Sequence, residues 1–197
     1  MEFPDDSELA LGTKHLILVN MWSANPVDEA IEASNKNNVF SFMITRNPYE
    51  RILSAYRSFY ETLSNDKSIK KFLEEKKKDK LTFKHFIEYL VNLPLQSFDF
   101  HWMPMYLMCK PCQMKYDVVG RMDSLREDSK TILSRLSLNL TLGHDHPTVG
   151  GSSGSDENLV EYYSEIGPDL MEKLYLIYEM DFILFDYEKF YTIRRAL

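Results

Sequence analysis

At 197 residues, with 44% hydrophobic and 13% aromatic content, the chain is long enough for one well-packed domain and short for two. Its 30 acidic residues outnumber 23 basic ones, giving a net charge of −7; this excludes a general electrostatic coating of nucleic acid or acidic membrane, so an anionic ligand needs a local basic pocket. No apolar run approaches the ~20 residues of a membrane span, and the opening MEFPDDSELA has neither the positive start nor the apolar stretch of a signal peptide, so as written the chain reads as soluble and without an address.

In chain order, HLILV at 15–19 is a weak strand signal, and the β-rich run Val39-Phe40-Ser41-Phe42-Met43-Ile44 predicts a buried central strand. A helix is predicted from Pro48, with Asn47 as its cap and Glu50 placed to reach back to it. Tyr49, Ile52, Leu53, Tyr56, Phe59, Tyr60 and Leu63 then fall on a stripe of roughly 120°, with Arg51 and Ser54 on the opposite side. The charge-dense stretch 66–80 reads either as a solvated helix or loop, or as a basic strip facing a glycan. Helical periodicity returns over 81–93 and Pro94 closes it; KYDVVG at 115–120 is a short strand. Ser124 and Glu127 form a capping box opening a helix whose Leu125, Ile132, Leu133 and Leu136 face inward. The Gly-, Ser- and Pro-rich stretch 141–155 reads as an exposed, mobile loop, followed by helices from Asp156 to about Ile166 and from Pro168 to about Met180.

Cys109 and Cys112, the two cysteines, lack the second ligand pair a zinc site needs; a redox pair or a local disulfide bracing the segment before KYDVVG fits better, and no metal site is expected. The sequon at Asn139 has meaning only in a secreted or luminal protein. More specific is ITRNPYERILSAYRSFYE at 44–61. A strand running into a helix N-terminus favours a bound anion, Arg46 adds a planar fork for phosphate, and Ser54 can donate a hydroxyl from the polar side of the helix. The bland reading stands beside it: an arginine at a strand end often pairs with a glutamate, and a serine on a polar face is commonplace.

The run VFSFMITRNPYERILSAYRSFYE resembles the 3′-phosphate-binding element of the Golgi carbohydrate sulfotransferases, the group that includes the chondroitin, dermatan and N-acetylgalactosamine 4-O-sulfotransferases. The resemblance continues through His101, Trp102, Cys109, Pro111, Cys112, Tyr116, Asp117, Val119, Gly120, Asp123, Ser124, Leu125 and Asp128, and ends at Leu174, Tyr175, Tyr178, Asp181, Phe182, Phe185 and Tyr187. It covers about residues 39–187. It implies an α/β, P-loop-like sulfotransferase fold with a mainly parallel sheet flanked by helices, in a single domain over 1–197. It also implies 3′-phosphoadenosine 5′-phosphosulfate (PAPS) as sulfuryl donor, held by Arg46, Ser54 and Arg51, a glycan or glycosaminoglycan acceptor, and a luminal Golgi location. His101 is the candidate base for the acceptor hydroxyl, with Asp99 as substitute base or as holder of its tautomer; alternatively His101 simply packs on Trp102. Trp102 and Tyr106 either stack on sugar or belong to the core.

The chain departs from the family in two places. Upstream of Arg46 neither Lys14 nor Lys36 lies in a 5′-phosphosulfate loop between a strand and a helix, and GGSSGS at 150–155 lacks the family's basic residue. The resemblance also implies a cytoplasmic tail, membrane anchor and stem, which the expectation of an N-terminally incomplete chain takes to be missing. Two expectations follow: an N-terminally incomplete carbohydrate O-sulfotransferase with little activity of its own, or a non-catalytic derivative that binds nucleotide or glycan. Losing one electrostatic contact to the transferring group typically lowers the rate by about 10²–10³.

Overall fold

The computed structural model describes residues 9–11, 14–16, 31–32, 39–138 and 156–189. The predicted loop at 141–155, the sequon and Lys36 lie outside the described residues, apart from the backbone of the helix that begins at Asp156. Two compact units are present, Met1–Arg46 with Met105–His144, and Asn47–Pro104 with Asp145–Leu197.

The strands are β1 (Leu9–Leu11), β2 (Lys14–Leu16), β3 (Phe42–Thr45) and β4 (Val118–Arg121). The helices are α1 (Pro48–Ser58), α2 (Tyr60–Asn65), α3 (Lys67–Glu75), α4 (Phe83–Leu90), α5 (Met105–Cys109), α6 (Leu125–Arg135), α7 (Asp156–Ser164) and α8 (Pro168–Leu184). Lys14 therefore sits in an antiparallel pair, β1 with β2, and not in a strand-to-helix loop.

In the first unit β3 and β4 pair in parallel, from Phe42–Val118 to Thr45–Arg121. The connection between parallel strands must be long, and about seventy residues of helix and turn supply it. Ser41 ties the strands together just ahead of β3: its N–H donates to the Asp117 carboxylate at 2.9 Å and its hydroxyl to the Lys115 carbonyl at 2.8 Å. Phe40, Ile132 and Leu136 form the core on which Ile44, Val118 and Leu138 pack, so α6 covers the pair as its apolar positions predict. The result is a mixed α/β fold with a parallel pair and a helix against it.

Two details of this unit differ from expectation. Ser124 does not cap α6; its hydroxyl donates to Asp128 Oδ2 at 2.6 Å, and the same oxygen accepts the Arg121 N–H at 2.8 Å. A carboxylate one turn into the helix is the stronger acceptor, and it draws the serine away from the backbone. Cys109 and Cys112 are not joined by a disulfide: the chain turns at Lys110, with φ at 43°, and leaves Cys112 exposed.

The second unit is helical. Tyr49, Ile52, Leu53 and Tyr56 on α1 are buried, as are Phe83, Phe86, Ile87 and Leu90 on α4 and Leu174, Tyr178 and Phe182 on α8. Ring centroids at 4.9 Å for Tyr49 and Phe182, 5.2 Å for Tyr56 and Phe83, and 5.0 Å for Phe83 and Tyr163 show an interior built largely of tilted and edge-on aromatics. The buried Tyr163 hydroxyl donates to the Tyr49 carbonyl at 2.9 Å. The single helix expected through Leu63 bends at Phe59, with α2 starting at Tyr60; there the Phe59 ring lies 4.1 Å from His101. α8 runs to Leu184, four residues past its predicted end.

Candidate active site

The strand-to-helix step is built by four consecutive residues. Thr45 ends β3, fully buried, with its hydroxyl donating to the Gly120 carbonyl at 3.0 Å. Arg46 follows, half-buried. Asn47 caps α1, its side-chain oxygen accepting the Tyr49 N–H at 2.9 Å, and Pro48 occupies the first turn. This alters the anion reading: Pro48 has no N–H and Asn47 takes that of Tyr49, so this helix end has little backbone left to offer a phosphate. Recognition of an anion there falls to side chains.

Ser54 is half-buried on α1, and its hydroxyl hydrogen-bonds to none of the described residues. Arg51 is placed differently from the wheel expectation. Its guanidinium donates to the Met103 carbonyl and lies 3.8 Å from Asp181 on α8, with side-chain exposures of 13% and 1%. The wheel failed because it considers one helix alone, and Asp181 reaches Arg51 from 130 positions away. Beside this pair, burial raises the Tyr178 hydroxyl well above its ordinary value, Asp181 adds to the effect and Arg51 opposes it, so the phenol stays protonated and donates to the Trp102 carbonyl.

His101 lies in the segment held by these contacts. Its N–H and its Nδ1 both meet Asp99 Oδ1, at 2.9 and 2.5 Å, and its ring makes tilted contacts with Phe59 at 4.1 Å and Phe100 at 3.8 Å. An ionised carboxylate only accepts, so Nδ1 carries the proton and Nε2 of the neutral ring keeps its lone pair. Of the two roles given to Asp99, holding the tautomer is the one this geometry matches. Trp102 is a core residue, 9% exposed and edge-on to Phe86 at 5.5 Å. Within the second unit, then, α1 and its C-cap are tied to the 99–103 segment twice, by Arg51 and by Phe59, while Arg46 belongs to the first unit.

Sequence reasoning missed Asp128 and Asp181 as organising groups. Asp128 anchors the turn after β4, and the Arg121 guanidinium is held next to it by Asp123 at 3.0 and 2.9 Å. For Asp181 the available signal was an aspartate between Met180 and Phe182, on the side of the helix that carries Leu174 and Tyr178, which is buried only when something pairs with it.

The sulfotransferase family matches residues 10–188 of the chain. The chain belongs to the sulfotransferase family. Among curated proteins it is similar to carbohydrate sulfotransferase 11 of Mus musculus, 27% identical over 94% of this chain and 57% of the relative. Carbohydrate sulfotransferase 12 of Mus musculus is 31% identical over 75% of this chain and 40% of the relative; carbohydrate sulfotransferase 14 of Danio rerio is 30% identical over 75% and 44%. The chain thus spans about half the length of the curated relatives it matches. No solved structure gives a significant match. No helix among the described residues of this sulfotransferase-family chain is long and apolar enough to cross a membrane.

Proposed function

We propose that the chain carries the transfer chemistry of a carbohydrate O-sulfotransferase: sulfuryl transfer from PAPS to a hydroxyl of a chondroitin-, dermatan- or N-acetylgalactosamine-type glycan, in the Golgi lumen. The family match over 10–188 carries this reading, because it takes in the Arg46–Ser54 block, the His101 block and the closing block in order. In this reading Arg46 and Ser54 contact the 3′-phosphate. Arg51, committed to Met103 and Asp181, acts as a positioning residue for α1. His101 Nε2 takes the proton of the acceptor hydroxyl as its oxygen attacks sulfur in line and the bond from sulfur to the 5′-phosphate oxygen breaks, releasing adenosine 3′,5′-bisphosphate. Asp99 holds the tautomer that leaves Nε2 able to accept.

A second reading, a non-catalytic nucleotide- or glycan-binding module, is favoured by one observation: Lys14 lies in the β1–β2 pair, where it makes no 5′-phosphosulfate loop. Calorimetry with adenosine 3′,5′-bisphosphate tests what the two share. Arg46→Ala should weaken binding by roughly 10- to 100-fold, the loss of a charge-assisted hydrogen bond, and Ser54→Ala by less. Binding indifferent to Arg46→Ala overturns both. Sulfate incorporation from radiolabelled PAPS into desulfated chondroitin then separates them, since only the enzyme incorporates label, and His101→Ala should abolish it.

A further inference from the structure

Eight of the chain's 23 basic residues, Lys67, Lys70, Lys71, Lys76, Lys77, Lys78, Lys80 and Lys84, fall between positions 66 and 84, where they meet only four acids. All eight are exposed, and none forms an ion pair with another of the described residues. Lys70 donates to the Asn65 side chain at 3.2 Å, and Lys76 lies 5.8 Å over the Phe72 ring. Beneath them Ile69, Leu73, Leu81 and Phe83 are buried at 1%, 7%, 2% and 3%, so the cations ride on a fixed apolar floor formed by α3, the following turn and α4. A cationic strip of this kind on a molecule of net charge −7 is a local feature with a local cause.

Lys77 is the member of the strip whose charge can be separated from its place in the fold. It sits just past the C-cap of α3 with φ at 54°, the left-handed position that closes a helix and that glycine or asparagine ordinarily takes. Its N–H bonds the Glu74 carbonyl at 2.9 Å, and that of Lys78 bonds Leu73 at 2.9 Å. The helix dipole accounts for a lysine at the C-cap itself, but glycine would serve the backbone better at Lys77. Lys110, Ser137 and Asp186 take the same left-handed region past other helices, so the conformation is a feature of this chain's helix ends and makes glycine at 77 a way to remove charge without cost to the backbone.

We infer that this strip docks an extended acidic polysaccharide, gripping its carboxylates and sulfates away from the reacting sugar; the inference rests on the glycan-acceptor reading above. Among polyanions a polysaccharide suits it best. No aromatic stands exposed between the lysines to stack a nucleic-acid base, and no apolar side chain projects to enter a bilayer. The chain's overall negative charge also repels large, uniformly anionic surfaces. A thin, flexible polymer can follow a strip that such surfaces cannot approach.

The test uses the full chain with chondroitin sulfate polymer, a chondroitin tetrasaccharide, duplex DNA, and vesicles of phosphatidylcholine with phosphatidylserine. The combined variant Lys76→Ala, Lys77→Gly, Lys78→Ala should bind the polymer about tenfold more weakly at low salt, with a shallower dependence on salt concentration. It should bind adenosine 3′,5′-bisphosphate unchanged. Lys77→Gly alone should weaken polymer binding while its melting temperature holds or rises, an outcome that unfolding cannot produce. Polymer binding indifferent to the triple variant, or DNA or vesicles bound as tightly as polymer at equal charge, overturns the proposal. Loss of nucleotide binding with the polymer response intact would overturn the donor reading alone.

Discussion

Gly120 is the position in β4 where a side chain has no room. An added Cβ would lie 2.7 Å from Ile44 Cδ1 and 3.0 Å from Asp128 Cβ, so Gly120→Ala should destabilise the fold by about 1–3 kcal/mol in urea titrations. Ile44→Val removes the nearer atom and should recover part of that loss in the double variant. Asp128 makes a separate prediction. The Ser124 hydroxyl, and next the Arg121 N–H, hold its carboxyl below the ordinary 3.8. A carboxylate with a depressed folded value contributes stability that is full above its unfolded value and is lost as pH falls through the folded one. Asp128→Asn should therefore lower the urea midpoint at neutral pH, and the difference from wild type should shrink as pH drops below about 4. A constant difference down to acid pH would show that the carboxylate's charge plays no part.

Helices α1 and α8 share a buried ion pair, Arg51 with Asp181. Removing one member takes a nearby opposite charge from a buried group, so Arg51→Met should cost about 3 kcal/mol, and Arg51→Met with Asp181→Leu should recover part of it. Equal losses in the single and double variants would mean that packing, and not charge, sets the effect. The start of α1 was readable because its determinants are neighbours: Asn47 accepts from Tyr49 two positions on, and Pro48 suits the first turn by its own geometry. The bend at Phe59 was not readable, since no glycine or proline marks it and the ring it meets belongs to His101. The Ser124 cap failed for a related reason. Glu127 completed the motif, but Asp128 was the better-placed acceptor.

For the molecule as a whole, a charge of −7 at neutral pH keeps copies apart, and with an isoelectric point near 5.3 light scattering should show least solubility near pH 5.3. Minimum solubility well away from that value would mean that the lysine strip, not net charge, governs association. Composition, caps and apolar periodicity by themselves determined the helical segments, the β3 strand and the block of residues around Arg46, because each depends on residues within a turn or two of one another. Tertiary structure alone decided that β3 pairs in parallel with β4, that Arg51 turns to Asp181, and that the Phe59 ring meets His101. Partner choice across 76 or 130 positions follows from which buried groups can satisfy each other once the chain has collapsed, and no local window of sequence holds both halves.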